Sequence, residues 1–227
     1  MSAVFIISAP SGSGKSTLVN CVRRVVPSLD FSISYTTRDP RGEEQNGREY
    51  FFVTRPEFEE MIAKDEFLEY ANVFGNYYGT ARCFLREAHE HGHDLLLDID
   101  VQGAAQIKRK VPDAVSIFIL PPDRKKLEER LRTRGQDVEK VIQKRLLTAT
   151  REIENYQKYD YILVNDKLED SVETLKSILL VERSKRSGEA VDDSDWARAE
   201  RCRLSNVEER VQPILMSFAP VAAPSAS

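Results

Sequence analysis

The sequence predicts an α/β protein built on a parallel sheet, and three observations carry that expectation. Four short apolar runs, VFIIS at 4–8, LLLDID at 95–100, VSIFIL at 115–120 and YILVN at 161–165, lack the polar alternation of half-exposed strands. Helix-like stretches separate several of them, the order expected when parallel strands are joined by crossovers. A glycine-rich turn, APSGSGKS at 9–16, joins the first run to the first such stretch.

Taken in chain order, the first helix should run from Lys15 to Val26 and stop at Pro27, which cannot continue it. FSISYT at 31–36 then offers a fifth strand. Between Arg38 and Arg86 the texture changes. A charged loop with Gly42 and Gly47 leads to the aromatic run EYFFV and to a helix whose start is marked by Thr54 and Glu57 at capping-box spacing. Residues 37–86 are therefore expected to form an inserted lobe. After Pro121 and Pro122, residues 122–157 give two amphipathic helices broken at Gly135, expected to act as a helical lid. The core would then comprise 1–36, 87–121 and 158–183. From Ser184 the periodicity weakens, and the tail is expected to hold one helix, over 195–211 around Trp196, Leu204 and Val207, before the disordered composition of APVAAPSAS.

Composition narrows the classes. With 41% hydrophobic and 31% charged residues in 227, the chain has the make-up of a soluble domain, and no apolar run approaches the roughly 20 residues that cross a bilayer. No secretory leader is visible, so the expectation is a cytoplasmic protein without a membrane partner. A net charge of −4 argues against general nucleic-acid binding, which needs a clear excess of cations. Cys21, Cys83 and Cys202 are too irregularly spaced for a disulfide framework or paired zinc ligands and are read as reduced thiols. Homo-oligomerisation is left open.

The glycine-rich turn carries the first chemistry. It matches the rule Gly, four residues, Gly, Lys, Ser or Thr, with Ala9 in place of the first glycine. A strand, a tight turn and a helix start gather backbone N–H groups and the positive end of a helix dipole around one volume, which suits an anion. Lys15 would reach the β- and γ-phosphates of a nucleoside triphosphate, and the Ser16 hydroxyl would ligate Mg²⁺. Ala9 requires the backbone to stay where a residue with a Cβ can go. Asp98 and Asp100, ending their strand run, lie where a parallel sheet opens its crevice. Strand-end capping is the other reading of that pair.

Eight segments, SAPSGSGKST, SYTTRDPRGEE, NGREYFF, NVFGNYYGT, LDIDVQGA, IFILPP, RLRTRGQD and YDYILVND, follow in an order and spacing that resembles the bacterial guanylate kinases among the nucleoside monophosphate kinases. The likeness spans about residues 3–183, and nothing transfers to the tail. It implies a P-loop NTPase three-layer core with a five-stranded parallel sheet, in which 37–86 is a GMP-binding lobe. It also implies transfer of the γ-phosphoryl group of ATP to GMP, giving ADP and GDP, in purine metabolism and GMP recycling. For ATP it implies Ala9, Pro10, Ser11, Gly12, Ser13, Gly14, Lys15, Ser16 and Thr17, with Asn165 near the adenine. For GMP it implies Glu69, Ser34 and Thr80 at the base, and Arg38, Arg41, Tyr50 and Tyr78 at the phosphate, with Asp98 and Asp100 alongside. Lys15, Arg41, Arg134 and Arg145 are the implied catalytic residues. Ser16, and Asp98 through a water, are the implied Mg²⁺ contacts.

The implied roles make chemical sense. Guanine presents two donors, at N1 and the 2-amino group, so a carboxylate there accepts twice and is repelled by adenine. Guanidinium forks suit a phosphate, and the acceptor phosphate is already ionised near neutral pH, so no general base is needed. Alone, TTRDPRGEE reads as a solvated charged loop and Tyr50 and Tyr78 as aromatic packing. Arg130 and Arg132 read as surface arginines paired with Glu128, Glu129 or Glu139. HEHGHD, which holds His89, His91 and His93, reads as a solvated helix end rather than a metal site, because the three histidines would not all face one point and no second ligands are evident. Two further functions were weighed: a guanylate-kinase-like module that binds phosphopeptides, expected to lack the Gly-Lys-Ser loop or lid arginines, and a sugar bisphosphokinase, expected to lack guanine specificity.

Overall fold

The computed structural model describes residues 2–73, 75–133 and 138–219. Its centre is a five-stranded parallel sheet. Strand β1 (Val4–Ser8) leads into helix α1 (Lys15–Val25), and β2 (Leu29–Ser32) follows at the sheet's edge. A second, four-stranded sheet then contains β3 (Tyr35–Thr36), β4 (Phe51–Phe52), β5 (Phe67–Val73) and β6 (Asn76–Ala81), with α2 (Arg55–Ala63) between β4 and β5. The chain returns through α3 (Arg82–His91), β7 (Asp94–Asp98), α4 (Val101–Lys110) and β8 (Val115–Leu120). Then come α5 (Arg124–Thr133), α6 (Glu139–Ile153), β9 (Tyr161–Val164), α7 (Leu168–Ser187), α8 (Asp193–Glu200) and α9 (Glu208–Phe218). The main sheet runs β2-β7-β1-β8-β9, which places β1 centrally and its loop at the crevice where crossovers diverge.

The unbroken apolar runs are explained by burial on both faces. Alternate residues of each strand point to opposite sides. Val4 and Ile6, Leu95 and Leu97, and Phe118 and Leu120 meet Ile107 of α4, Leu127 of α5 and Leu146 of α6. Phe5 and Ile7, Leu96, and Ile117 and Ile119 meet Leu18 of α1 and Leu175 and Ile178 of α7. The helix starting at Lys15 forms as expected, and the capping box forms at Thr54: its hydroxyl accepts from the Glu57 amide at 3.4 Å and the Glu57 carboxylate accepts from the Thr54 amide at 2.7 Å.

Two expectations are corrected. FSISYT is not one strand. Phe31 and Ser32 pair with β7 in the main sheet, whereas Tyr35 and Thr36 pair with β4 and β6 in the second, so the chain changes sheets between them. The tail is not one helix. Trp196 on α8 packs against the α1 and α7 face, while Leu204 and Val207 pack against the α5 and α6 face. One straight helix could not reach both. The chain instead steps over the sheet edge through a 3₁₀ turn at Leu204–Asn206, where Arg203 bridges Tyr161 antiparallel and the Ile162 amide donates to the Cys202 carbonyl at 2.7 Å. The edge of β9 is thereby covered, and α9 then buries Val211, Ile214 and Phe218. The closing residues 220–227 lie outside the described part.

Candidate active site

The turn after β1 ends in Gly14, which has φ +86° and stands as the N-cap of α1. Ala9 is not among the residues with positive φ, so its Cβ costs nothing here. The turn is held from behind at one atom. The Ser13 carbonyl accepts from Asn165 Nδ2 at 2.7 Å and from Arg130 Nη1 at 3.4 Å, and Arg130 also donates to the Asn165 carbonyl at 2.9 Å. This corrects the surface reading of Arg130, because its guanidinium joins the α5 helix, the loop and the end of β9. The reading of Arg132 stands, with Glu128 and Glu139 each 2.6 Å away. Asn165 is 4% exposed and its amide is committed to the loop, so whatever it does for an adenine it does while bracing Ser13.

A cleft of about 500 Å³ opens in front of the loop. Ala9, Pro10, Ser11, Gly12, Gly14, Lys15 and Ser16 form one wall. Ser34, Arg41, Tyr50, Glu69 and Tyr78 form the second, and Lys144, Arg145, Thr148 and Glu152 of α6 the third. Asp98 and Asp100 lie at its floor. Ser13 is fully buried behind the wall, Thr17 sits exposed on the first turn of α1, and neither lines the cleft. Arg134 falls among the residues not described.

Lys15 of the cleft and the buried Arg38, which like Thr80 does not itself line it, are held on carboxylates of the same chain. Lys15 pairs with Asp98 and reaches the Ile99 carbonyl at 3.4 Å. Burial works against its charge, yet the Asp98 carboxylate more than offsets this and holds Lys15 above the usual lysine range. Arg38 lies 2.9 Å from Glu44, which also accepts from the Arg41 amide at 2.8 Å, and its guanidinium stands 5.3 Å from the Tyr50 ring centre. Burial opposes the Arg38 charge too, and hydrogen bonds to Glu44 and Tyr78 outweigh it. Asp100 is the N-cap of α4, a role that neither reading of the pair gave it: its carboxylate accepts from the Gly103 amide at 2.8 Å. It lines the cleft as well.

Glu69 is 3% exposed and accepts the Thr80 hydroxyl at 2.6 Å. Burial pushes its carboxyl up to about 7, partly countered by Thr80. Such a group is costly to bury unless donors arrive to satisfy it. Gly103 makes room for it, since a Cβ there would stand 2.6 Å from Glu69 Oε2. Neither Gly103 nor Glu152 was singled out from sequence. Glu152 sits on α6 near the Ser11 amide, with one buried oxygen lacking a partner among the described residues, and burial raises it to about 7 despite the attraction of Lys15. A glutamate on an amphipathic helix looks like a surface charge, and only the helix phase shared with Arg145 and Thr148 could have marked it.

Comparison with known proteins shows what the chain is similar to. A family model described as guanylate kinase matches residues 1–182. A guanylate kinase of Koribacter versatilis is 60% identical over 221 residues, with 95% of each chain covered. One of Escherichia coli K12 is 50% identical over 186 residues, covering 81% of this chain and 90% of that one. The crystal structure of an Anaplasma phagocytophilum guanylate kinase superposes with a TM-score of 0.66 at 34% identity, covering 80% of this chain and 86% of that one.

Proposed function

Because the chain belongs to the guanylate kinase family, we infer that it is an ATP:GMP phosphotransferase, moving the γ-phosphoryl group of ATP to GMP and giving ADP and GDP. The observation that carries this reading is the single cleft with a phosphate-binding turn on one wall and the buried Glu69 on another. A phosphopeptide module is not favoured, since Lys15 and Arg145 both face that cleft, and neither is a sugar kinase, since Glu69 is set to accept from a base edge.

The roles implied by the family likeness are supported by the placement of the described residues. Ionised Glu69 accepts from N1 and the 2-amino group of guanine, donors that repay its desolvation; adenine offers an acceptor at N1 and leaves the carboxylate unsatisfied. Arg38, Arg41, Tyr50 and Tyr78 receive the acceptor phosphate, for which Arg38 exchanges its Glu44 partner. Lys15 leaves Asp98 for the β- and γ-phosphates in the same way, so each substrate takes over a cation that a carboxylate of the chain holds in place. Arg145, joined by Arg134, stabilises the charge that spreads over the moving group. Residues 37–86 and 122–157 close over the two nucleotides and keep water from the transfer.

The Ser16 hydroxyl and the Asp98 carboxylate both line the cleft and are hard oxygen donors, a set that fits Mg²⁺ with Asp98 acting through water. Bound there, Mg²⁺ would neutralise charge on the β- and γ-phosphates. We place the reaction in purine recycling in the cytoplasm. An ADP-release assay with saturating Mg·ATP and GMP, AMP, CMP or UMP as acceptor tests the reading. GMP should be strongly preferred; equal rates with AMP, or no ADP with GMP, would overturn it.

A further inference from the structure

The end of α3 brings together three side chains that the transfer reaction does not use. Gly92 closes α3 with φ +69°, a left-handed residue that turns the chain sharply between His91 and His93. Both imidazoles consequently face the same group. His91 Nδ1 lies 3.0 Å from Asp30 Oδ2 and His93 Nδ1 lies 2.9 Å from Asp30 Oδ1. His89 is not part of this group, so the three histidines do not all face one point, but Asp30 supplies the further ligand that the sequence did not reveal. Asp30 comes from β2, 61 residues before His91, so the partner that sequence spacing could not reveal is delivered by the sheet.

Without an ion, each neutral imidazole in its Nδ1–H tautomer can donate to one Asp30 oxygen, from two adjacent rings whose centres are 5.6 Å apart. One divalent cation replaces both protons. Coordination bonds of about 2.1 Å put neighbouring donor atoms about 3.0 Å apart around an octahedral ion and about 3.4 Å apart around a tetrahedral one, so the 2.9–3.0 Å between each nitrogen and its oxygen needs little or no opening to admit either. The donor atoms of all three residues lie within 4.8 Å of one another. All three side chains keep access to solvent, leaving room for water ligands.

We propose that Asp30, His91 and His93 form a binding site for a borderline divalent transition ion, with Zn²⁺ or Ni²⁺ as its chemical type. Two imidazoles and one carboxylate suit such ions, whereas Mg²⁺ and Ca²⁺ prefer all-oxygen shells. The site is separate from the reaction centre. His93 immediately precedes β7 and Asp98 closes that strand, so the two ends lie about 16 Å apart at roughly 3.3 Å per residue. An ion there would tie the edge strand β2 to α3 and the start of β7.

The test uses the full chain, stripped with a chelator and free of nucleotide so that no phosphate competes. Titration with ZnCl₂ in a calorimeter, and with CoCl₂ followed by its visible absorption, should show one ion per chain. The His91→Ala/His93→Ala pair and Asp30→Asn should each weaken Zn²⁺ at least about tenfold. His89→Ala, two residues before His91, and Cys83→Ser, at the other end of α3, should bind as the parent does. An unchanged kcat with Mg·ATP and GMP confirms that the variants are folded. Zn²⁺ affinity unaltered in the double histidine variant, loss confined to Cys83→Ser, or no stoichiometric binding by the parent would each overturn the proposal.

Discussion

The phosphate-binding turn and the C-terminal wrap do opposite jobs with opposite codes. The turn spans eight consecutive residues, lines a cleft with most of them and is braced by Asn165 and Arg130. The wrap is spread over residues 196–218, presents no chemistry, and works by covering both faces and one edge of the sheet. Changing the first should remove rate and spare the fold, and changing the second should do the reverse.

The largest expected effect is that of Lys15→Ala, which should cut kcat by about 10³-fold or more, as loss of a principal phosphate contact does, while GMP binding measured by calorimetry stays largely intact. Loss of both together would merge the two halves of the cleft and break the contrast. Next, Ile214→Ala on α9 should lower unfolding free energy by about 2–4 kcal/mol in urea melts, because a 4%-exposed side chain leaves a cavity, and kcat should be unchanged. A fall in kcat at full folding would show the wrap to be part of the catalytic machinery. Glu69→Gln should erode the kcat/KM preference for GMP over AMP by about 10²-fold. Gly103→Ala, which crowds Glu69, should raise the KM for GMP with less effect on ATP.

The smallest effects concern pH. Glu69 is raised to about 7 in the free protein, and only its ionised form accepts from guanine, so the KM for GMP should rise as pH falls below 7, by at most about tenfold per unit. Glu69→Gln should remove that part of the slope, leaving the part due to the GMP phosphate. For stability the sign is opposite. Glu69 and Glu152 both titrate higher folded than unfolded, so their contribution is full below about 4.5 and disappears as pH rises through 7. The unliganded chain should therefore lose thermal stability between pH 5 and 7, and Glu152→Gln should flatten that loss.

The same contrast says what could be read from sequence. The main sheet was legible because strands buried on both faces must be apolar throughout, and the turn because its chemistry is contiguous. Glu69 came from family likeness, since nothing local marks a buried acid; its burial depends on Thr80 and Gly103, eleven and thirty-four residues away. Arg130 and Glu152 were hidden for one reason. A charged residue on an amphipathic helix is ordinarily solvated, and only the tertiary packing of α5 and α6 against the loop turns these two inward. The wrap was hidden because its hydrophobics serve two separate faces, so no single helical period runs through them.

Covering β9 with the last part of the chain also sets a schedule for biosynthesis. The strand is complete at Val164, but the residues that pair with its edge, Cys202 and Arg203, come about 40 positions later. At about 5–20 residues per second, a ribosome leaves that strand open for roughly 2–8 s in every copy it makes. During that interval the nascent chain has a bare hydrogen-bonding edge beside an unfinished core, which is when a chaperone would be of most use to it.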